Sequence, residues 1–171
     1  MVKPIAVDVD VVNLNPDLVG HRDADLFRQI VSNSIHDEQI SNAAKIVALT
    51  NNSSLRSNII RALGRRHNDE AQLALRNIYD AGVTEKESAL ILGSIKPKDL
   101  EDPATDWILA KLNGNELSEA TNRQMMAKLL IVSRHSGLNS PGIPSKLFSK
   151  VDIHWHELLQ DVYQSSAKRT H

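Results

Sequence analysis

The chain contains no cysteine among its 171 residues, which excludes disulfide cross-links, thiolate nucleophiles and cysteine-held metals. Aromatic side chains are scarce, at 4%. Ala, Ile, Leu and Val must therefore build the core, a composition that suits tightly packed helices better than a base-stacking platform for nucleic acid. Neither sign of charge dominates: 20 Lys and Arg stand against 21 Asp and Glu, a formal net charge of -1. Global electrostatics thus supply no steering toward DNA, RNA or anionic lipid, although a local basic face is compatible with that balance. The N-terminus shows no basic-then-apolar pattern and the chain no apolar run of membrane length. No membrane segment is expected, and a cytoplasmic location is the default expectation.

What is present is an ordinary folding composition, 41% apolar and 24% charged, enough for one compact domain or a short array of helical hairpins. Residues 5–12 alternate, with Ile5, Val7, Val9 and Val11 on one side and Ala6, Asp8 and Asp10 on the other, which predicts an N-terminal β-strand. Asn15 and Pro16 interrupt it. From Asp23 the period becomes helical: Leu26, Phe27, Ile30, Val31 and Ile35 form one apolar side, and Ile40, Ala44 and Val47 mark a second helix over 37–49.

The segment 51–112 adds punctuation to that periodicity. Ser53 is expected to cap a helix carrying Leu55, Ile59, Ile60 and Leu63, with Gly64 as its stop. Asn68 opens the next, with Ala71, Leu75, Ile78 and Tyr79, and Gly82 closes it. Thr84 and Glu87 have the spacing of a capping box before Ala89, Leu90 and Leu92. Pro97 and Pro103 delimit a connection, after which Trp107, Ile108 and Leu112 offer another stripe. Gly64 and Gly93 are 29 positions apart and Ala71 and Ala104 are 33 apart, spacings found in helical repeats.

The run Asn51, Asn52, Ser53, Ser54, Leu55, Arg56, followed by Ile59 to Gly64 and then by Asn68, Asp69, Glu70 and Ala71, resembles the HEAT family of helical repeats. That resemblance implies antiparallel helix pairs whose stacked surfaces hold proteins and, in some families, nucleic acids. It covers residues 51–75; the following unit, at Ser88 to Gly93, lacks the arginine-containing opening.

Further on, Gly114 and Asn115 break the chain before a helix over about 117–134 bearing Ala120, Met126, Leu129, Leu130 and Ser133. Residues 137–144 look like an internal linker, and Trp155, Leu158, Leu159 and Val162 define a terminal amphipathic helix with Trp155 as its structural anchor. The expected fold is mainly α: stacked antiparallel helical hairpins resembling a short HEAT-like solenoid, with an N-terminal β-strand. Its expected parts are 1–22 (strand or extension), 23–136 (helical repeat-like core) and 137–171 (linker and C-terminal docking helix).

Three groups of residues invite chemistry. Asp8 and Asp10 alternate on a strand and can face one ion; residues 5–12 also resemble the opening strand of haloacid dehalogenase-like phosphatases. By that resemblance Asp8 would attack phosphate and Asp10 would manage a proton. The rest of the chain lacks the parallel strands and later polar motifs of that family, so a solvated strand edge is the stronger expectation. His154, His156 and Glu157 carry zinc-binding or proton-transfer groups. On a helix, two positions turn a side chain by roughly 200 degrees, which separates the histidines and favours polar flanks of the Trp155 seam.

The third group is basic: Arg56, Arg61, Arg65 and Arg66 beside His67, with Arg76 on the next helix. Arg61 and Arg65 are four residues apart and fall on adjacent turns, where two guanidinium groups can meet carboxylate or phosphate oxygens. The expected function is a non-catalytic protein-interaction or adaptor module, its partner a protein with an acidic recognition surface. The alternatives are a module that binds the phosphate backbone of nucleic acid and an Asp-dependent phosphatase-like enzyme. No cofactor is expected.

Overall fold

The computed structural model describes residues 26, 28–30, 32–135 and 142–168. Among them the protein is mainly helical and carries no strand. The strand expected at 5–12, with Asp8 and Asp10, lies outside the described residues. The chain forms two compact units, 1–95 and 96–171, with the boundary inside the segment 23–136.

In the first unit, residues 26 and 28–30 are helical and bury Leu26 and Ile30. A turn at Ser32 and Asn33, the latter at φ 59°, intervenes before Ile35. Ile35 is therefore buried from beyond that turn, not from the helical stripe the periodicity suggests. A 3-10 turn, Asp37–Gln39, leads into α1 (Ile40–Leu49). Then come α2 (Ser53–Arg65), α3 (Asp69–Ala81) and α4 (Glu85–Ser94).

Each start has a local chemical cause. Asn52, one residue earlier than the expected Ser53, accepts the Leu55 amide at 2.9 Å, and Asn68 accepts that of Ala71 at 2.9 Å. Thr84 and Glu87 close the predicted capping box in both directions, at 3.1 and 3.2 Å. Gly82 ends α3 at φ 112°, a conformation that side chains with a Cβ rarely adopt.

Short connections between packed helices reverse the chain each time, so α1 and α3 run one way and α2 and α4 the other. Every helix from α1 to α4 packs on the next, and α1 also packs on α3 and α2 on α4. That pairing is the pattern of stacked hairpins. The parallel course of α2 and α4 is visible at both ends: Arg56 meets Glu87 near their starts, and Gly64 meets Ser94 near their ends. A Cβ at Gly64 would stand 2.5 Å from Ser94 Oγ, so this glycine permits a close helix approach. It lies inside α2 and is not the stop it resembles in sequence. Gly93, its expected repeat equivalent, faces open space.

Leu55, Ile59, Ile60, Leu63, Leu75 and Ile91 are fully buried in this unit, each contributing about 1.5–3 kcal/mol relative to exposure. On α4 the buried side is Glu87, Ile91 and Leu92, while Ala89, expected on the stripe, is exposed.

The second unit contains α5 (Pro103–Asn113), α6 (Glu119–His135), α7 (Ser145–Lys150) and α8 (His156–Lys168). Asp102 caps α5 by accepting the Ala104 amide at 2.9 Å, with Pro103 in the first turn where its missing N–H costs nothing. The break after α5 has Asn115 in the left-handed conformation (φ 54°), whereas Gly114 is right-handed. On α6, Met125, Met126, Leu129, Leu130 and Ser133 are buried and Ala120 is exposed. The helix α8 packs on α6, with Arg123 paired to Asp161 at 2.6 Å and Arg134 over the Tyr163 ring at 5.3 Å. Its buried anchors are Leu159 and Val162. Trp155 ends a separate 3-10 turn, Ile153–Trp155, and is only half-buried. No helix among the described residues is long and apolar enough to cross a membrane.

Candidate functional site

The sequence-predicted arginines separate by depth. Arg56 points inward from the first turn of α2. Its Nε and Nη2 donate to the two Glu87 carboxylate oxygens at 2.8 and 3.3 Å, and its Nη1 donates to the Val47 carbonyl and, at 3.3 Å, to the Thr50 carbonyl. Both side chains are largely buried, at 17% and 3% exposure. One guanidinium thus satisfies the end of α1 and holds α2 to α4. Burial pushes the Glu87 carboxyl up, but hydrogen bonds from Arg56 and Thr84 and the charge of Arg56 outweigh it, and its pKa lies below the ordinary value.

Arg76, on α3, is buried, and its Nη1 has no hydrogen-bond partner among the described residues. Arg66, just past α2, is half-buried; its Nη2 pairs with Asp37, which also accepts from Asn68 at 2.7 Å. Arg56 and Arg76 are therefore interior groups, and Arg66 is tied to the turn before α1.

Arg61 and Arg65 remain exposed on α2, in line with Ser54 and Asn58 and away from the buried Leu55, Ile59, Ile60 and Leu63. The two are one turn apart, about 6 Å along the axis. Arg61 has a long contact to Asn58 Oδ1 at 3.5 Å. The helix contains no acidic residue, and exposed His67 follows it. This ridge can present two guanidinium forks, each suited to a planar oxyanion.

The histidines near the C-terminal helix are separated too. His156 Nε2 lies 3.0 Å from the Phe148 carbonyl and 2.8 Å from the Val151 carbonyl. Both partners only accept, so this nitrogen carries the proton and caps the end of α7. His154 is exposed against Trp155, with ring centroids 4.9 Å apart. Among the described residues no group of three or more His, Asp or Glu side chains could hold a metal ion. Elsewhere in this unit, burial and then the charge of Lys96 lower the pKa of the Lys128 ammonium to about 8.

One feature of the first unit was not foreseen from sequence: an open trough of about 400 Å³ between α1 and α3. Its walls are small side chains, Ser41, Ala44 and Ala48 on α1 and Ala74, Asn77 and Ala81 on α3, with half-exposed Leu73 at its rim. The signal available in sequence was the small residues at i, i+3 and i+7 on both helices.

The fold and these surfaces define a mainly helical protein, with stacked hairpins among the described residues of its first unit. Compared with known proteins, the chain matches no family model, no curated protein and no solved structure.

Proposed function

We propose that the chain is a non-catalytic interaction module that binds an acidic segment of a partner protein through Arg61 and Arg65 on α2. The observation that carries this reading is the exposed arginine pair on a helix with no acidic residue of its own. The parallel stacking of α2 and α4 and the α2–α3 hairpin support the HEAT-like resemblance, in which such stacked helices serve as a binding scaffold. A net charge of -1 and only two freely exposed arginines on the ridge favour a short acidic protein segment over a nucleic-acid backbone, which rewards many phosphate contacts.

Titration with a fluorescein-labelled Glu- and Asp-rich peptide and with a single-stranded oligonucleotide of equal charge tests this. The peptide should bind more tightly, and Arg61→Glu/Arg65→Glu should weaken it by about tenfold or more. Tighter binding of the oligonucleotide, lost in the same variant, would instead support nucleic-acid recognition.

A further inference from the structure

The trough between α1 and α3 is separate from the Arg61–Arg65 ridge, although Arg56 of α2 reaches its edge. Ser41, Ala44 and Ala48 line one side and Ala74, Asn77 and Ala81 the other. Both sets run i, i+3, i+7 on helices of the same direction, so the walls stay low over two turns and the trough follows the helix axes. Its polar equipment is sparse. An extended strand laid there would leave backbone N–H and C=O groups without partners, because α1 and α3 satisfy their own. A helix arrives with its backbone already bonded and offers a ridge of side chains to such a groove.

Charge narrows the occupant further. Two ionisable side chains line the trough, Arg56 and Glu70. The Arg56 charge is met by Glu87, whereas Glu70 is exposed and forms no ion pair among the described residues. The trough is therefore largely apolar, with one exposed carboxylate, in the first turn of α3, that has no ion-pair partner among the described residues. We propose that it docks an amphipathic helix of a partner protein, with apolar side chains at i, i+3 and i+7 over Leu73 and the alanines and a Lys or Arg against Glu70.

The test uses a fluorescein-labelled helical peptide built on Ala and Gln, with Leu at i, i+3 and i+7 and Lys one turn beyond, and a second peptide with Glu in place of that Lys. Fluorescence anisotropy against the full chain should show about fivefold tighter binding of the Lys peptide, the size of a solvent-exposed ion pair. Leu73→Asp should weaken it about tenfold, and Glu70→Lys should reverse the preference between the peptides. Leu73 and Glu70 are exposed, so both variants should fold; Ala44→Arg, which fills the trough from the other wall, provides an independent block. Equal binding of the two peptides, or indifference to all three substitutions, would overturn the proposal. So would a dimer abolished by Leu73→Asp, which assigns the trough to a second copy, or Lys-peptide binding seen only after deletion of residues 1–22, which assigns it to the chain's own N-terminal segment.

Discussion

Arg56 and Glu87 stand 31 positions apart in sequence and form a two-point ion pair, at 2.8 and 3.3 Å, between the first turns of α2 and α4. The same arginine reaches back to the carbonyls of Val47 and Thr50 at the end of α1. A single side chain therefore couples three helices, and Glu87 closes the capping box of α4 with its other contacts. This relationship turns an arginine that reads in sequence as a recognition residue into a part-buried tie between helices.

Arg56→Ala should cost about 3–5 kcal/mol, because it strands a buried carboxylate. Urea unfolding at neutral pH measures the loss. The pair should also shape the acid limb. Its pKa being below 4.5 when folded, Glu87 contributes stability that is present above that value and lost as pH falls through the lower folded pKa. Glu87→Gln should flatten that limb; an unchanged acid profile would remove Glu87 from the account.

The two glycines that look equivalent in sequence should respond with opposite signs. Gly64→Ala forces a Cβ against Ser94 and should destabilise by about 1–3 kcal/mol. Gly93→Ala meets nothing and should stabilise α4 by about 0.5–1 kcal/mol. Combining Gly64→Ala with Ser94→Gly should recover most of the loss, read from thermal midpoints of the four proteins.

Around α8, Leu159→Ala should cost about 2–5 kcal/mol and exceed Trp155→Ala, since Leu159 is fully buried and Trp155 only half so. His156→Ala should cost about 1–2 kcal/mol by removing the donor that caps α7, while His154→Ala should be close to neutral. Equal effects for the two histidines in chemical unfolding would contradict the capping role.

Much of this was legible in the sequence. Caps and breakers act locally, so Asn68, Gly82 and the Thr84–Glu87 box could be read from spacing alone, and the helical stripes followed from apolar periodicity. Depth was harder to read. Nothing in the local wording distinguishes Arg56, which closes a pair with a carboxylate 31 residues away, from Arg61 and Arg65 on the outer side of the same helix. Gly64 was visible as a glycine, but its reason lies on α4. The trough is likewise a property of two helices, and each of its walls alone reads as ordinary alanine-rich helix.

Lys128 gives a pH signature on the alkaline side. Its folded pKa of about 8 lies below the ordinary lysine value of 10.5, so between those values the unfolded chain holds a proton that the folded chain has shed. Stability from this group therefore rises with pH across that window, the burial penalty being greatest below it. Lys128→Met should flatten the rise in unfolding free energy between about pH 8 and pH 10, and an identical slope in the variant would contradict the assignment.

Recognition of an acidic protein segment through Arg61 and Arg65 is read from quantitative capture from the native source, with and without nuclease treatment, comparing the wild-type chain with Arg61→Glu/Arg65→Glu. Proteins that are retained by the wild type, carry an acidic segment, and are lost on reversing Arg61 and Arg65 despite an unchanged melting temperature are the predicted result. A bound set that is the same for wild type and the arginine variant, or that vanishes with nuclease alone, would contradict recognition of an acidic protein segment through α2.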